Sequence, residues 1–286
     1  MGKAESTENR QGEYPWRRRV IQNKTVPLYP EHPMPTWQQG VLKKLIKKQT
    51  TMGKALVTGA NKGIGYGISK FLGRSGWQII IGARSRQRAE KAMKTLREEG
   101  AEVIGWQHVD LSDNASLEQT AREVKEKHPD LELLVNNAGI PGDMEVPSYR
   151  TELRDAAETI QVNYLGTFAL TQALIPLLAA NRGRIVNITV PSEVSPYWHP
   201  MAYVASKAAQ NAMTGIMAME FEKNNFPVEI FDVHPGATTT DLNNHYTGPG
   251  AHSVDVVGEK IAAVINDGKK HQGEFIELYP IVDEGR

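Results

Sequence analysis

From residue 54 onward, short apolar runs alternate with longer segments that have helical periodicity. The runs are bounded by glycine or polar residues, and the segments between them are long enough for helices. They are Lys54–Thr58, Trp77–Gly82, Glu102–Trp106, Leu131–Asn136, Arg184–Thr189, Val228–Val233 and Glu274–Leu278. Nearly continuous apolar runs are typical of strands buried on both faces of a parallel sheet. The pattern therefore predicts one α/β domain, a doubly wound parallel sheet of about seven strands with helices on both faces.

The first 52 residues follow a different pattern. Residues 1–52 carry ten Lys/Arg and four Asp/Glu, whereas the rest of the chain carries 23 and 29. They also hold five of the 16 prolines, which fix φ and remove amide donors. We therefore divide the chain into a basic, proline-containing extension, 1–52, and a folded domain, 53–286. We expect the extension to pack along its own or a neighbouring subunit.

Composition excludes several classes of function. The chain has no cysteine, so disulfides, thiolate metal sites and cysteine nucleophiles are absent, and we expect a reducing, cytoplasmic location. Thirty-three basic and 33 acidic side chains give a formal net charge of zero, which argues against a nucleic-acid partner. The histidines lack metal-ligand spacing, so no metal is expected. We also predict no stable membrane insertion, because no apolar run approaches the roughly 20 residues that span a bilayer.

A glycine-rich turn joins the first predicted strand to the first predicted helix. Its sequence, Thr58-Gly-Ala-Asn-Lys-Gly-Ile-Gly65, has the spacing Gly-x-x-x-Gly-x-Gly. Glycine lets the backbone approach a pyrophosphate, and the free amides of the helix N-terminus favour its negative charge. We therefore predict a Rossmann-type dinucleotide site here. Its predicted members are Gly59, Asn61, Lys62, Gly63, Ile64 and Gly65.

With four further landmarks, the chain resembles the short-chain dehydrogenase/reductase family over essentially all of 53–286. The landmarks are Asn136-Asn-Ala-Gly139, Asn163 in Val-Asn-Tyr-Leu-Gly-Thr, Tyr203-Val-Ala-Ser-Lys207, and Pro235-Gly236 with Thr240. The resemblance is strongest to the carbonyl-reductase-like branch, through Thr-Gly-Ala-Asn-Lys-Gly-Ile-Gly and Thr-Thr-Thr-Asp-Leu-Asn-Asn. It implies an oxidoreductase that binds a nicotinamide cofactor.

The resemblance also implies roles for individual residues. Asn163 would hold a proton-relay water, Lys207 would bind the nicotinamide ribose, and Asp110 with Leu111 would contact adenine. The remaining cofactor contacts that it implies are Asn137, Ala138, Gly139, Tyr203, Pro235, Gly236 and Thr240.

The spacing of Tyr203 and Lys207 also indicates acid–base chemistry without reference to the family. Residues i and i+4 share one face of a helix. A phenol has a pKa near 10, and an ammonium group one turn away should lower it. Tyr203 could then donate a proton to a carbonyl oxygen as hydride reaches the carbon, or reverse that step.

One position departs from the family pattern. The family usually has a serine thirteen residues before the tyrosine, and that position is Val190 here. Valine cannot donate a hydrogen bond to a substrate oxygen. Thr189 or Ser192 could supply the hydroxyl, and we favour Ser192 because Thr189 should lie on the other face of its strand.

The end of the second strand indicates the choice of cofactor. An NAD-specific site of this architecture has an acidic residue about twenty residues past the glycines, for the ribose 2′-hydroxyl. The second strand ends in Gly82-Ala-Arg-Ser85, without an acid. Arg84 together with Lys62 would pair with a 2′-phosphate, so we predict NADP(H).

The leading hypothesis from sequence is an NADP(H)-dependent reductase that interconverts a ketone or aldehyde and an alcohol. The alternatives are an imine or iminium reductase and a non-catalytic NADP-binding protein, because position 190 is valine.

The predicted helix from Met201 to Lys223 is apolar on more than one face. A second surface, in addition to the sheet, is therefore expected to bury it. In the family this helix and the Asn163 helix commonly form a dimer interface, so a homodimer or homotetramer is expected.

Overall fold

The computed structural model describes residues 52–193, 195 and 200–279, and these contain a seven-stranded parallel sheet of order β3-β2-β1-β4-β5-β6-β7. Every pair of neighbouring strands is parallel. The strands are β1 (Gly53–Thr58), β2 (Trp77–Ala83), β3 (Val103–His108), β4 (Leu131–Asn136), β5 (Arg184–Ile188), β6 (Glu229–His234) and β7 (Phe275–Glu277). The predicted doubly wound fold is confirmed, and order reverses between β1 and β4, where such sheets bind ligands.

Helices cover both faces of the sheet. They are α1 (Gly63–Arg74), α2 (Arg86–Glu98), α3 (Asn114–Lys127), α4 (Leu153–Ile160), α5 (Thr167–Ala180), α6 (Met201–Lys223) and α7 (Val254–Ile265). One apolar core joins the sheet to α1, α2 and α7, and the other joins it to α3, α5 and α6. Alternate residues of each central strand enter opposite cores: Leu56 lies in the second core, and Val57 lies in the first. The nearly continuous apolar runs in the sequence therefore predicted correctly that both faces of the sheet are buried.

The predicted strand boundaries differ from the observed ones by a few residues. β3 begins at Val103 and ends at His108, rather than spanning Glu102–Trp106. β7 has three residues and, in the described part of the chain, pairs only with β6 along Asp232–His234. β5 ends at Ile188, so Thr189 is the first residue after the strand.

A π-helical turn, Gln161–Gly166, joins α4 to α5 in one continuous helical run. Gly166 allows this turn to approach the loop after β3, because a Cβ there would lie 2.0 Å from the carbonyl oxygen of Leu111. Within the described residues, Leu153–Ala180 is the one helical run long and apolar enough to cross a membrane. Half of its apolar window is buried inside the protein.

The predicted extension, residues 1–52, lies outside the described part of the chain except for Met52. The amide of Met52 donates to the carbonyl of Gly76 at 3.0 Å. The division into extension and domain stays a prediction.

Candidate functional site

The glycine turn has a shape that side chains would fill. Gly59 has φ +67°, and a Cβ there would lie 2.9 Å from the Cα of Ala138. A Cβ on Gly65 would lie 2.5 Å from Nδ2 of Asn137. The first turn of α1 has no side-chain cap at Lys62, so no side chain competes there for the helix amides. The turn therefore has the close backbone approach and the free helix amides that suit a pyrophosphate. Its assignment as a dinucleotide site stays a prediction.

The Asn-Asn-Ala-Gly segment lies beside this turn and is fixed to it. The hydroxyl of Thr58 accepts from the amides of Asn137 and Ala138 at 2.9 and 3.0 Å. The side chain of Asn137 donates to the carbonyl of Thr58 at 2.9 Å. A Cβ on Gly139 would lie 3.0 Å from Oδ1 of Asn163. The first and fourth strands thus present the predicted cofactor residues as one surface.

Asn163 connects that surface to α6. It is fully buried in the π-helical turn, where its Oδ1 accepts from the amide of Ile140 at 2.8 Å. Its Nδ2 donates to the carbonyl of Ile140 at 2.9 Å and to the hydroxyl of Ser206 at 3.0 Å. Ser206 in turn donates to the carbonyl of Tyr203 at 2.7 Å. π-Helical turns are frequent at functional sites, and the sequence did not predict this one.

Tyr203 and Lys207 are buried on α6, with 7% and 3% of their surfaces exposed. Nζ of Lys207 lies 5.8 Å from the centre of the Tyr203 ring. It donates to the carbonyl of Ile188 at 2.8 Å and to Oε1 of Gln210 at 3.0 Å. The helix therefore presents both side chains on one face over the end of β5, as the i, i+4 spacing predicts.

The predicted lowering of the Tyr203 pKa is wrong for this arrangement. Burial raises the pKa of Tyr203 well above its usual value, because desolvation disfavours the phenolate. Burial also lowers the pKa of Lys207 to about 8, although the negative charge of Asp232 opposes this. Desolvation dominates for both groups, and a spacing of four residues does not reveal it. Near neutral pH, Tyr203 is a neutral phenol that can donate its proton.

The hydroxyl groups near Val190 are arranged by Asn211 of α6, which the sequence did not single out. The hydroxyl of Thr189 donates to Oδ1 of Asn211 at 2.5 Å, and Thr189 is buried. Nδ2 of Asn211 donates to the carbonyl of Val190 at 2.9 Å and to the hydroxyl of Ser192 at 3.0 Å. Thr189 therefore faces α6, which corrects the expectation that it lies on the other face. Because Ser192 accepts from Asn211, it keeps its own proton to donate.

The ends of β2 and β3 bring Arg84 close to Asp110. Arg84 is exposed just after β2. Burial acts to raise the pKa of Asp110, but hydrogen bonds from Ser112 and the charge of Arg84 hold it below its usual value. The amide and hydroxyl of Ser112 donate to Oδ1 of Asp110 at 3.0 and 2.6 Å. Leu111 is buried beside them.

Lys62 forms an ion pair with Asp241, in the segment that follows β6. His245 lies 3.1 Å from the same carboxylate. Both side chains of the Lys62–Asp241 pair are more than half exposed, so the pair is weak and solvent-screened. Lys62 thus bridges the glycine turn to the segment after β6, a partner that the sequence did not suggest.

The segment after β6 approaches the glycine turn through Thr240. Gly236 has φ +72°, and a Cβ there would lie 2.9 Å from the ring of Tyr279. Pro235 precedes this bend. Thr240 lies against the glycine turn, since its Cγ2 would be 3.6 Å from a Cβ on Gly63. Of the three predicted residues in this segment, Thr240 therefore contacts the glycine turn, and Gly236 packs against Tyr279. Residues 194 and 196–199 of the loop after β5 lie outside the described residues.

The chain resembles known proteins of the short chain dehydrogenase family. The sequence model of the short chain dehydrogenase family matches residues 53–248. The chain is 32% identical to human retinol dehydrogenase 13 over 215 residues, covering 69% of this chain and 63% of that protein. A dehydrogenase/reductase SDR family protein 7-like of Anopheles gambiae is 33% identical over 204 residues, covering 68% of this chain and 62% of the relative.

Two solved structures show the same fold. An alcohol dehydrogenase from the archaeon Thermococcus sibiricus, in complex with 5-hydroxy-NADP, superposes with a TM-score of 0.70 at 28% identity, covering 82% of this chain and 99% of that one. The NADPH-bound carbonyl reductase from chicken fatty liver gives 0.69 at 25% identity, covering 79% and 96%. Taken with the glycine turn, the Asn163 turn and the Tyr203–Lys207 pair, the family match shows that this chain belongs to the short-chain dehydrogenase/reductase family of oxidoreductases.

Proposed function

We propose that the protein is an NADP(H)-dependent oxidoreductase that interconverts a ketone or aldehyde and the corresponding alcohol. Membership of the family supports a nicotinamide cofactor, which supplies or accepts hydride when it is bound. The observation that carries the proposal is the buried Tyr203–Lys207 pair, which lies on α6 and is tied through Ser206 to Asn163.

The chain's own residues would supply the proton. Because its pKa is raised, Tyr203 is protonated near neutral pH and can donate to a carbonyl oxygen that becomes negative during reduction. Lys207 places a positive charge one turn away, where it favours the tyrosinate that remains. The hydroxyl of Ser192 is the second donor to the substrate oxygen, because Asn211 leaves its proton available.

Arg84 supports NADP(H) over NAD(H). It is exposed at the end of β2, where an NAD-specific site would place an acid, and its charge already acts on Asp110. A guanidinium can hold a phosphate through two parallel hydrogen bonds. The Thermococcus sibiricus and chicken proteins were crystallised with NADP-type cofactors, whereas a 3-oxoacyl-[acyl-carrier protein] reductase of Brucella melitensis was crystallised with NAD.

Replacing Arg84 with aspartate is expected to shift the preference towards NAD(H) by about tenfold to a hundredfold. The substitution removes the phosphate partner and adds an acceptor for the ribose 2′-hydroxyl. The measurement is the ratio of kcat/KM for NADPH and NADH. Arg88→Asp, an exposed change on α2, is the matched control and should leave the ratio unchanged. An unchanged ratio in Arg84→Asp would refute the role of Arg84.

An imine or iminium reductase is the second candidate, and Val190 favours it. An iminium carbon already carries positive charge, so a hydroxyl donor at position 190 would matter less than for a neutral carbonyl. Oxidation of NADPH against a panel of ketones, aldehydes and cyclic imines distinguishes the two. A protein that binds NADPH but oxidises it with no member of the panel would be the non-catalytic alternative.

We also propose a homo-oligomer, formed through the exposed faces of α5 and α6. On α6, Ile216 and Met219 are 55% and 62% exposed. Ile216 lies along an apolar groove of about 560 Å³, which has the following members among others: Tyr164, Phe168, Ile175, Ala212, Ile216 and Met217. A helix pair with an apolar outer face needs a partner, and a second copy of the same pair is self-complementary.

Ile216→Glu is therefore expected to convert the assembly to a single subunit, because it places a charge in the apolar face. Sedimentation velocity at micromolar concentration measures the mass. Val256→Glu, which changes a comparably exposed apolar residue on α7, is the control and should keep the wild-type mass. A wild-type mass of one subunit would overturn the proposed assembly. A cytoplasmic location stays a prediction.

A further inference from the structure

Three neighbouring strands contribute a row of polar side chains to the otherwise apolar core beneath α6. Asn136 of β4, Asn187 of β5 and Asp232 of β6 are in register with one another. Each is at most 3% exposed. We call these three residues the polar row. Amides and a carboxylate that are buried at this depth are costly unless they are paired, so the row requires a physical explanation.

Hydrogen bonds converge on the carboxylate at the end of the polar row. Asn136 donates to Oδ1 of Asn187 at 2.9 Å, and Asn187 donates to Oδ1 of Asp232 at 3.2 Å. Thr214 of α6 donates to the same oxygen at 2.6 Å. Both donors favour the ionised form of Asp232, and both oppose the desolvation that raises its pKa to about 7.

The buried ammonium group of Lys207 lies in the same region but has only neutral hydrogen-bond partners among those described. These are the carbonyl of Ile188 and the side-chain oxygen of Gln210. Neither acceptor balances a positive charge. Both partners adjoin residues that are bonded to Asp232: Ile188 follows Asn187 on β5, and Gln210 lies one turn before Thr214 on α6. The negative charge of Asp232 raises the pKa of Lys207, and Lys207 in turn lowers that of Asp232.

We propose that Asp232 is a positioning residue, the buried counter-ion that keeps Lys207 protonated beneath Tyr203. It touches neither the substrate nor the cofactor and acts through Lys207. Its importance for turnover rests on the proposed carbonyl–alcohol reaction, but its effect on Lys207 does not. Within the polar row, Asn187 and Asn136 orient the carboxylate, and Thr214 links it to the helix that carries Lys207.

Among the described residues, the other ionisable groups near α6 do not replace Asp232. On α6 itself, the phenol of Tyr203 is neutral because burial raises its pKa. β5 contributes the neutral Asn187, and the π-helical turn contributes the neutral Asn163. The charged residues of α4, which also packs against α6, do not contribute to the shift of Lys207; they are Arg154, Asp155 and Glu158. At the ends of β6, Glu229 pairs with Arg184, and burial holds His234 neutral by lowering its pKa to about 4.

The direction of the expected effect follows from the charges. An anion favours the protonated lysine, so its removal lowers the pKa of Lys207 further below its usual value. Lys207 would then lose its proton at a lower pH. Because reduction needs the ammonium group beside Tyr203, the alkaline limb of the pH–activity profile should move in the acid direction.

The test is Asp232→Asn, which keeps the shape and the acceptor oxygen but removes the charge. Selective ¹³C labelling of lysine lets NMR follow the titration of Lys207 in the full-length protein, with Lys207→Arg identifying its signal. We expect the Lys207 pKa and the alkaline limb of kcat to fall together by about one pH unit. Glu229→Gln, on the same strand, is the matched control and should move neither.

Thr214→Val provides a second variant in case Asp232→Asn does not fold. It keeps the carboxylate but removes a donor that favours its ionised form, so the Lys207 pKa should fall by a smaller amount. An unchanged Lys207 pKa in whichever variant folds would overturn the proposal. So would a lower melting temperature with an unshifted alkaline limb, which is the signature of a merely structural role.

The two readouts separate this inference from the proposed function. If the wild-type protein reduces no member of the carbonyl panel, the proposed function fails, but the NMR titration still tests the Asp232–Lys207 pair. If turnover is present and the titration does not respond to Asp232→Asn, the pair fails and the proposed function stands.

Discussion

Tyr203→Phe is expected to lower kcat for carbonyl reduction by about 10²–10⁴-fold, because it removes the proton donor. NADPH binding should be nearly unchanged, since the ring still fills the same buried position on α6. The pair of measurements is steady-state NADPH oxidation and the NADPH dissociation constant from fluorescence titration.

Tyr66→Phe is the matched control for that variant. Tyr66 is also a phenol whose pKa is raised, by burial and by its 2.9 Å hydrogen bond to Glu99, but its hydroxyl is bound on another part of the surface. Tyr66→Phe should therefore leave kcat for carbonyl reduction unchanged. Near-normal turnover in Tyr203→Phe would mean that another group donates the proton. Loss of NADPH binding in that variant would mean that its effect is structural.

Ser192→Ala is expected to lower kcat by about 10²–10³-fold, because it removes the second donor to the substrate oxygen. The double variant Val190→Ser/Ser192→Ala should recover much of this loss, since it puts a hydroxyl at the position where the family usually has it. Thr189→Val should have a smaller effect on kcat, because the Thr189 proton is already donated to Asn211.

The outcome of this series identifies the hydroxyl that acts in place of a serine at position 190. If Ser192→Ala retains normal turnover and Thr189→Val does not, the donor is Thr189. If neither single variant changes turnover while Tyr203→Phe abolishes it, Tyr203 is the one donor to the substrate. An imine or iminium substrate would then explain the results better than a ketone or aldehyde.

The sequence predicted the parts of the site that depend on local pattern. Glycine spacing identified the turn after β1, and the i, i+4 spacing placed Tyr203 and Lys207 on one face of α6. Apolar runs identified all seven strands because these runs are bounded by glycine and polar residues. Boundaries such as that of β3 were wrong by up to two residues, since tertiary pairing decides where a strand ends.

The sequence did not predict the features that depend on contacts between distant segments. Asp232 and Asn187 are polar residues inside apolar runs, a signal that was present, but only the register of β5 and β6 brings them together. Asn211 gave no signal, because its role depends on where the loop after β5 passes α6. The pKa of Tyr203 was predicted in the wrong direction because burial cannot be read from a spacing of four residues.

Transfer of deuterium from labelled NADPH shows whether the protein reduces a carbonyl group with Tyr203 as the proton donor. The protein would be incubated with NADPH deuterated at C4 of the nicotinamide and the best ketone or aldehyde from the panel, and the alcohol product analysed by mass spectrometry and NMR. For the proposed carbonyl reduction, we expect an alcohol with a single deuterium on its carbinol carbon, formed by the wild-type protein and not by Tyr203→Phe. Two results would contradict this expectation. One is an alcohol that carries no deuterium, whichever face of the nicotinamide C4 is labelled. The other is an equal amount of labelled alcohol from Tyr203→Phe.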